Sequence, residues 1–144
     1  MNTFKFVTDT ATMCVFDLAC LKHRLEDDAD WWSIPSAEIQ EVNNGNVAFL
    51  NLDSDGKYSV SIVDAIAEPD VSVNLKFNSG RVFFGAAEEV SSDGLEPEAL
   101  RGGMFLEFPV GFYALHIKKT GSSISLVIET SDISTNSFCR VVRI

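Results

Sequence analysis

The chain has 144 residues and a mass of 15.8 kDa, enough for one domain of ordinary size (residues 1–144) and not for two. Its 21 Asp and Glu outweigh 11 Lys and Arg to leave a net charge of −10, while 46% of residues are hydrophobic and eleven are Phe. That charge argues against DNA, RNA or anionic membranes as partners, and that apolar content argues against a disordered acidic chain.

Phe4 and Phe6 alternate with polar neighbours at the start, and Met13–Phe16 reads as a strand. Asp17 is placed to cap a short helix carrying Leu18, Leu21 and Leu25. Ser36 is placed to cap another through Val42, but Ile39–Val42 turned by Asn43-Asn44-Gly45 reads as a strand, and the strand is preferred. From Asn46 onward period 2 dominates. Strands are expected over 46–52, 58–63, 71–77, 81–85, 104–108, 112–119 and 123–130, and Phe138–Ile144 closes the chain. Asp53-Ser54-Asp55-Gly56, Asn78-Ser79-Gly80 and Thr120-Gly121-Ser122 read as tight or hairpin turns, and Pro109-Val110-Gly111 as a further turn. Short strands at this spacing predict an all-β fold: an antiparallel two-sheet β-sandwich, jelly-roll-like, with one or two short helices in the first third.

Two stretches break the alternation. One is Glu26-Asp27-Asp28-Ala29-Asp30-Trp31-Trp32. The other is a connection over 86–103 holding Glu88, Glu89, Asp93, Glu96 and Glu98. Connections that long inside a small domain are commonly functional or mobile.

Each chemical motif has a plainer rival. Asn51, Asp53, Asp55 and Gly56 imitate the start of a calcium-binding loop, but Ile62 stands where the bidentate Glu belongs, so a turn is the better reading. Glu88, Glu89 and Asp93 suit a hard cation or a glycosidase carboxylate pair, yet Glu88 and Glu89 point to opposite faces of a strand and a solvated acidic loop is the better reading. No metal and no cofactor is therefore expected. The two histidines are His23 and His116. Nucleophilic catalysis needs one of them beside Ser or Cys with an orienting acid, and no local motif supplies that. His116 alternates with Leu115 and Ile117, which puts it on the outer face of a strand. His23 and Arg24 form a candidate polar site. Trp31 and Trp32 either plug the core or form an exposed aromatic anchor with Asp27, Asp28 and Asp30 as its rim. Sugar stacking on a Trp is a third use. Three cysteines without CxxC spacing, no secretory signal and no run of about eighteen apolar residues suggest a cytoplasmic protein whose cysteines are buried.

Thr8-Asp9-Thr10-Ala11-Thr12, Asp17-Leu18, Lys22-His23-Arg24 and Asp30-Trp31-Trp32, together with Ser92–Pro97, Gly102-Gly103 and Gly111-Phe112-Tyr113, resemble a family of small bacterial proteins defined by a domain of unknown function. That resemblance implies no catalytic residues. The late turn-and-strand pair is also similar to bacterial competence-nuclease inhibitors.

The expectation is then a non-enzymatic protein-binding module: an immunity or inhibitor protein masking a basic toxin such as a nuclease. Trp31, Trp32, Asp28, Asp30, Glu88, Glu89, Asp93 and Glu96 would form its partner surface. The rival is a small-molecule or carbohydrate-binding sandwich, with or without hydrolase activity, that uses the same Trp and Glu residues.

Overall fold

The computed structural model describes residues 2–24, 31–90, 97 and 99–144. In chain order its elements are β1 (Asn2–Thr8), β2 (Thr12–Asp17), α1 (Pro35–Asn43), β3 (Ala48–Asn51), β4 (Gly56–Ile62), β5 (Val71–Phe77), β6 (Arg81–Ala86), β7 (Met104–Glu107), β8 (Gly111–Thr120) and β9 (Ser123–Thr130). Single 3-10 turns lie at Lys22–Arg24, Trp31–Ser33 and Ala87–Glu89. The strands form a five-stranded sheet, β1-β4-β9-β8-β5, and a four-stranded sheet, β3-β2-β6-β7. The expected β-sandwich is present, with one departure from antiparallel pairing: β4 and β9 run parallel.

The five-stranded sheet has one wet face, and its sequence alternates accordingly. Phe4, Phe6, Tyr58, Val60, Val73, Leu75, Phe77, Tyr113, Leu115, Ile117, Ile124 and Leu126 are buried, and the residues between them carry Lys5, Lys57, Ser72, His116, Lys118 and Ser125 outward. The four-stranded sheet is covered on both faces, and β2 has no exposed residue at all. Phe16, Phe83 and Phe105 face one another across β2, β6 and β7, with ring centroids 6.2 and 5.1 Å apart.

α1 replaces the expected strand at Ile39–Val42. Pro35 suits the first helical turn, where its missing N–H costs nothing. The residues this helix buries are Glu38, Glu41 and Val42. Their spacing is helical, but two of the three are carboxylates, so the hydropathy pattern carries no helical period.

Of the turns expected as hairpins, only Gly121-Ser122 joins neighbouring strands, with Gly121 at φ +60°. The segments at 52–55 and 78–80 carry the chain from one sheet to the other, as do 9–11 and 108–110. A polar side chain closes each crossing. Tyr58 Oη donates to Ser54 O and Tyr113 Oη to Pro109 O, both at 2.6 Å. Asp17, fully buried at the end of β2, closes 78–80: Ser79 N, Gly80 N and Ser79 Oγ donate to its carboxylate at 2.9, 2.7 and 2.8 Å. Gly80 there has φ +85°, and a Cβ would lie 2.2 Å from Phe108 O. Asp17 also accepts from Ala19 N at 2.8 Å, as a cap would, but a turn and the Lys22–Arg24 3-10 turn follow instead of an α-helix. Leu25 lies outside the described residues.

Three sheet edges are occupied by the chain itself. Val7 N and Lys5 O of β1 pair with Arg101 O and Gly103 N, each at 2.8 Å. Asn51 of β3 pairs with Val142 O and Ile144 N. On β5, Lys76 N donates to Gly45 O, and the Asn136 side chain both accepts from Asn74 N at 2.8 Å and donates to Asn74 O at 3.0 Å.

Removing the Asp17 carboxylate takes the acceptor from three backbone N–H groups, of Ala19, Ser79 and Gly80, the last of them buried. Asp17→Ala should cost about 3 kcal/mol by urea denaturation. Asp17→Asn should recover little of it, because an amide NH2 would meet donors. A loss of under about 0.5 kcal/mol, as for an ordinary surface substitution, would show that the corner does not need this group.

Candidate functional site

The side chains singled out from sequence fall into separate places, and most turn inward. Trp31 and Trp32 are 3% and 7% exposed. They pack on Phe49, one edge-on at 5.9 Å and one stacked at 5.7 Å between ring centroids. This corrects the reading as an exposed anchor: neither indole offers a face to a partner or a sugar, because the outer surface of the four-stranded sheet is apolar and needs covering. Trp31 Nε1 is buried without a hydrogen-bond partner among the described residues, and the Arg24 guanidinium lies 4.6 Å from the Trp31 ring centroid.

Glu88 and Glu89 are likewise not free loop acids. They sit on the Ala87–Glu89 3-10 turn. The Glu88 carboxylate, 10% exposed, accepts from Thr8 Oγ1 and Asp9 N at 2.8 Å and from Thr10 Oγ1 at 2.5 Å, with Arg101 Nε at 3.5 Å. It therefore closes the β1–β2 crossing. Burial pushes its pKa up, but these donors outweigh that and hold it below the ordinary carboxylate value. Glu89 is 7% exposed, with Arg101 N 3.4 Å from its Oε2. Asp28, Asp30, Asp93 and Glu96 lie outside the described residues.

The candidate polar site at His23 and Arg24 does come together, around a residue the sequence reading passed over. Glu41, 2% exposed on α1, accepts from Arg24 Nε at 2.6 Å and lies 2.7 Å from His23 Nε2. Its other oxygen accepts from Asn46 Nδ2 at 2.8 Å. Burial raises the Glu41 pKa, yet the bonds from Asn46, Arg24 and His23 prevail and lower it overall. The cluster ties the first 3-10 turn and residue 46 to α1. One α-turn earlier, Glu38 accepts from Asn51 Nδ2 at 3.1 Å. Burial pushes the Glu38 carboxyl up to about 6, with the Asn51 bond and the Arg143 charge only partly opposing it.

Two of the calcium-loop residues make contacts within the protein. Asn51 Nδ2 serves Glu38 and Val142 O, and Lys119 Nζ reaches Asp53 Oδ2 at 3.2 Å. Beside that pair, Asp53, Asp55, Lys57 and Lys119 help line a cavity of about 280 Å³ at one end of the sandwich. Asp70 joins the same end: Lys118 Nζ is 3.1 Å and Lys119 N 2.8 Å from its carboxylate, and the Lys119 N–H leads in holding its pKa low. Of the cysteines, Cys14 and Cys20 are buried as expected, while Cys139 is exposed. Among the described residues, no helix is long and apolar enough to cross a membrane.

A family model described as a family of unknown function, DUF6386, matches residues 1–144. The chain belongs to this family. No curated protein matches it. Among solved structures, this DUF6386 chain is similar to "Crocagin biosynthetic gene J", with a TM-score of 0.56 and 14% identity over 90% of this chain and 97% of that one. At that identity the match shows a shared fold. The likeness to competence-nuclease inhibitors finds no support in these matches.

The Glu38 value sets a stability window. A carboxyl raised from 4.5 to about 6 by folding contributes stability that is complete below 4.5 and lost as pH rises through 6. Glu38→Gln should abolish this loss, so the variant should gain about 2 kcal/mol on the wild type between those limits. Glu41 and Glu88, held low, act below that range, where their stabilisation is lost as pH falls. Parallel stability profiles for the two proteins from pH 4.5 to 7 would rule the assignment out.

Proposed function

We propose that this chain is a protein-binding module of the immunity or inhibitor type, masking a basic partner such as a nuclease toxin. The supporting observation is a group of five accessible acids, beside the exposed Asp9, Glu107, Glu129 and Asp132 elsewhere. Asp53, Asp55, Asp64, Glu68 and Asp70 are all exposed, on the two segments that lead into β4 and β5. Asp53 and Asp70 meet at Lys118 and Lys119 of β8 at one end of the sandwich, and from there the acids run along the segment back to Asp64, which follows the other end of β4. Glu88 and Glu89, engaged inside the fold, drop out of the partner surface. An acidic rim on a chain of net charge −10 suits a cationic cleft, with fast, steered association. The name of the structural relative refers to a biosynthetic gene, and at 14% identity it carries no partner to this chain.

The reading is tested by capture on the tagged wild type and on a variant combining Asp53→Asn, Asp55→Asn, Asp64→Asn and Glu68→Gln. Asp70 is kept because it accepts the Lys119 N–H. A basic protein retained by the wild type at low salt, released near about 0.5 M salt and not retained by the variant is the expected result. Equal recovery on both proteins, or no partner on either, would refute it.

A further inference from the structure

The outer face of the five-stranded sheet holds an arrangement that no local motif announces. Ser72 on β5 and His116 on β8 are directly paired in register, and Ser72 Oγ lies 2.6 Å from His116 Nδ1. On the other side of the ring, His116 Nε2 lies 2.6 Å from Glu129 Oε1 on β9. An ionised carboxylate only accepts, so Glu129 fixes the proton of the neutral ring on Nε2. Nδ1 is then left as an acceptor for the Ser72 hydroxyl. This is a nucleophile hydrogen-bonded to a base, which is oriented in turn by an acid.

We propose that Ser72 is an activated nucleophile for small aryl esters, with His116 as its general base and Glu129 as a positioning residue. The surroundings indicate the substrate. Ala114, the next outward residue of β8, pairs with Asn74 and Glu129 and leaves a low floor beside the histidine. Phe112 follows on the same face and is 44% exposed, an apolar ring within reach of an aryl group held over Ala114. In the reaction, Ser72 Oγ bonds to the ester carbonyl carbon while its proton passes to His116 Nδ1. The carbon–oxygen bond to the leaving group breaks, and that oxygen takes the proton. Water, deprotonated by the same histidine, then releases the acid and frees Ser72.

This inference goes beyond the partner reading and does not depend on it, since a module that only binds leaves Ser72 an ordinary surface serine. The test uses a fluorophosphonate probe with peptide mapping, alongside hydrolysis of p-nitrophenyl acetate. Ser59, Ser61 and Ser125, outward on the same sheet, are internal controls that need no variant. Labelling at Ser72 should run about a hundredfold faster than at those serines and fall by a similar factor in His116→Gln. Glu129→Gln should lower kcat and leave KM unchanged, with part of the rate restored by Glu129→Asp. Ser72 labelling no faster than the control serines, or unchanged in His116→Gln, would overturn the proposal.

Discussion

The sandwich depends on closing the four places where the chain changes sheets. Each is closed by a single polar side chain that bonds the turn backbone: Glu88 at β1–β2, Tyr58 at β3–β4, Asp17 at β5–β6 and Tyr113 at β7–β8. The apolar faces supply most of the driving force for packing the sheets, but that force has no direction and does not decide where the chain turns. A buried hydrogen bond does, because leaving its partner unsatisfied costs more than the bond contributes. The two tyrosines of the chain are thus used identically, each reaching back four residues to a carbonyl.

This also explains how much the sequence revealed. β5, β8 and β9 were legible because one face of their sheet meets water, and so were the strands that alternate with them. β2 and β6 are buried on both faces and show no alternation, and they were read as strands from their short apolar runs and neighbouring turns instead. The turn residues at 53–56 and 78–80 announced a reversal correctly and were misread as hairpins. Gly, Asp and Asn report local backbone angles and not which sheet the next strand joins. α1 was hidden by its own carboxylates, since a helix anchored by Glu38 and Glu41 looks polar on the face it buries.

The candidate sites divide along the same line. His23 and Arg24 were found together because they are adjacent in sequence. Their partner Glu41 is 17 residues from Arg24, and only the fold joins them. The Trp pair was conspicuous for its composition, yet its task is to roof Phe49. Ser72, His116 and Glu129 come from three strands, with 44 residues separating the first two. No spacing rule would have linked them. The net charge likewise misleads when counted whole, because Asp17, Glu38, Glu41 and Glu89 are buried and serve the fold.

Asn136 has a consequence for the chemical ageing of the molecule. Its side-chain amide acts as a short piece of strand, donating to Asn74 O and to Val42 O at 3.0 and 2.7 Å while accepting from Asn74 N. Deamidation would replace that NH2 with an oxygen facing two carbonyl oxygens. One covalent change would set a negative carboxylate against two carbonyl oxygens and unfasten β5 from the end of α1. The lifetime of the intact sheet edge is therefore tied to the hydrolysis of a single amide.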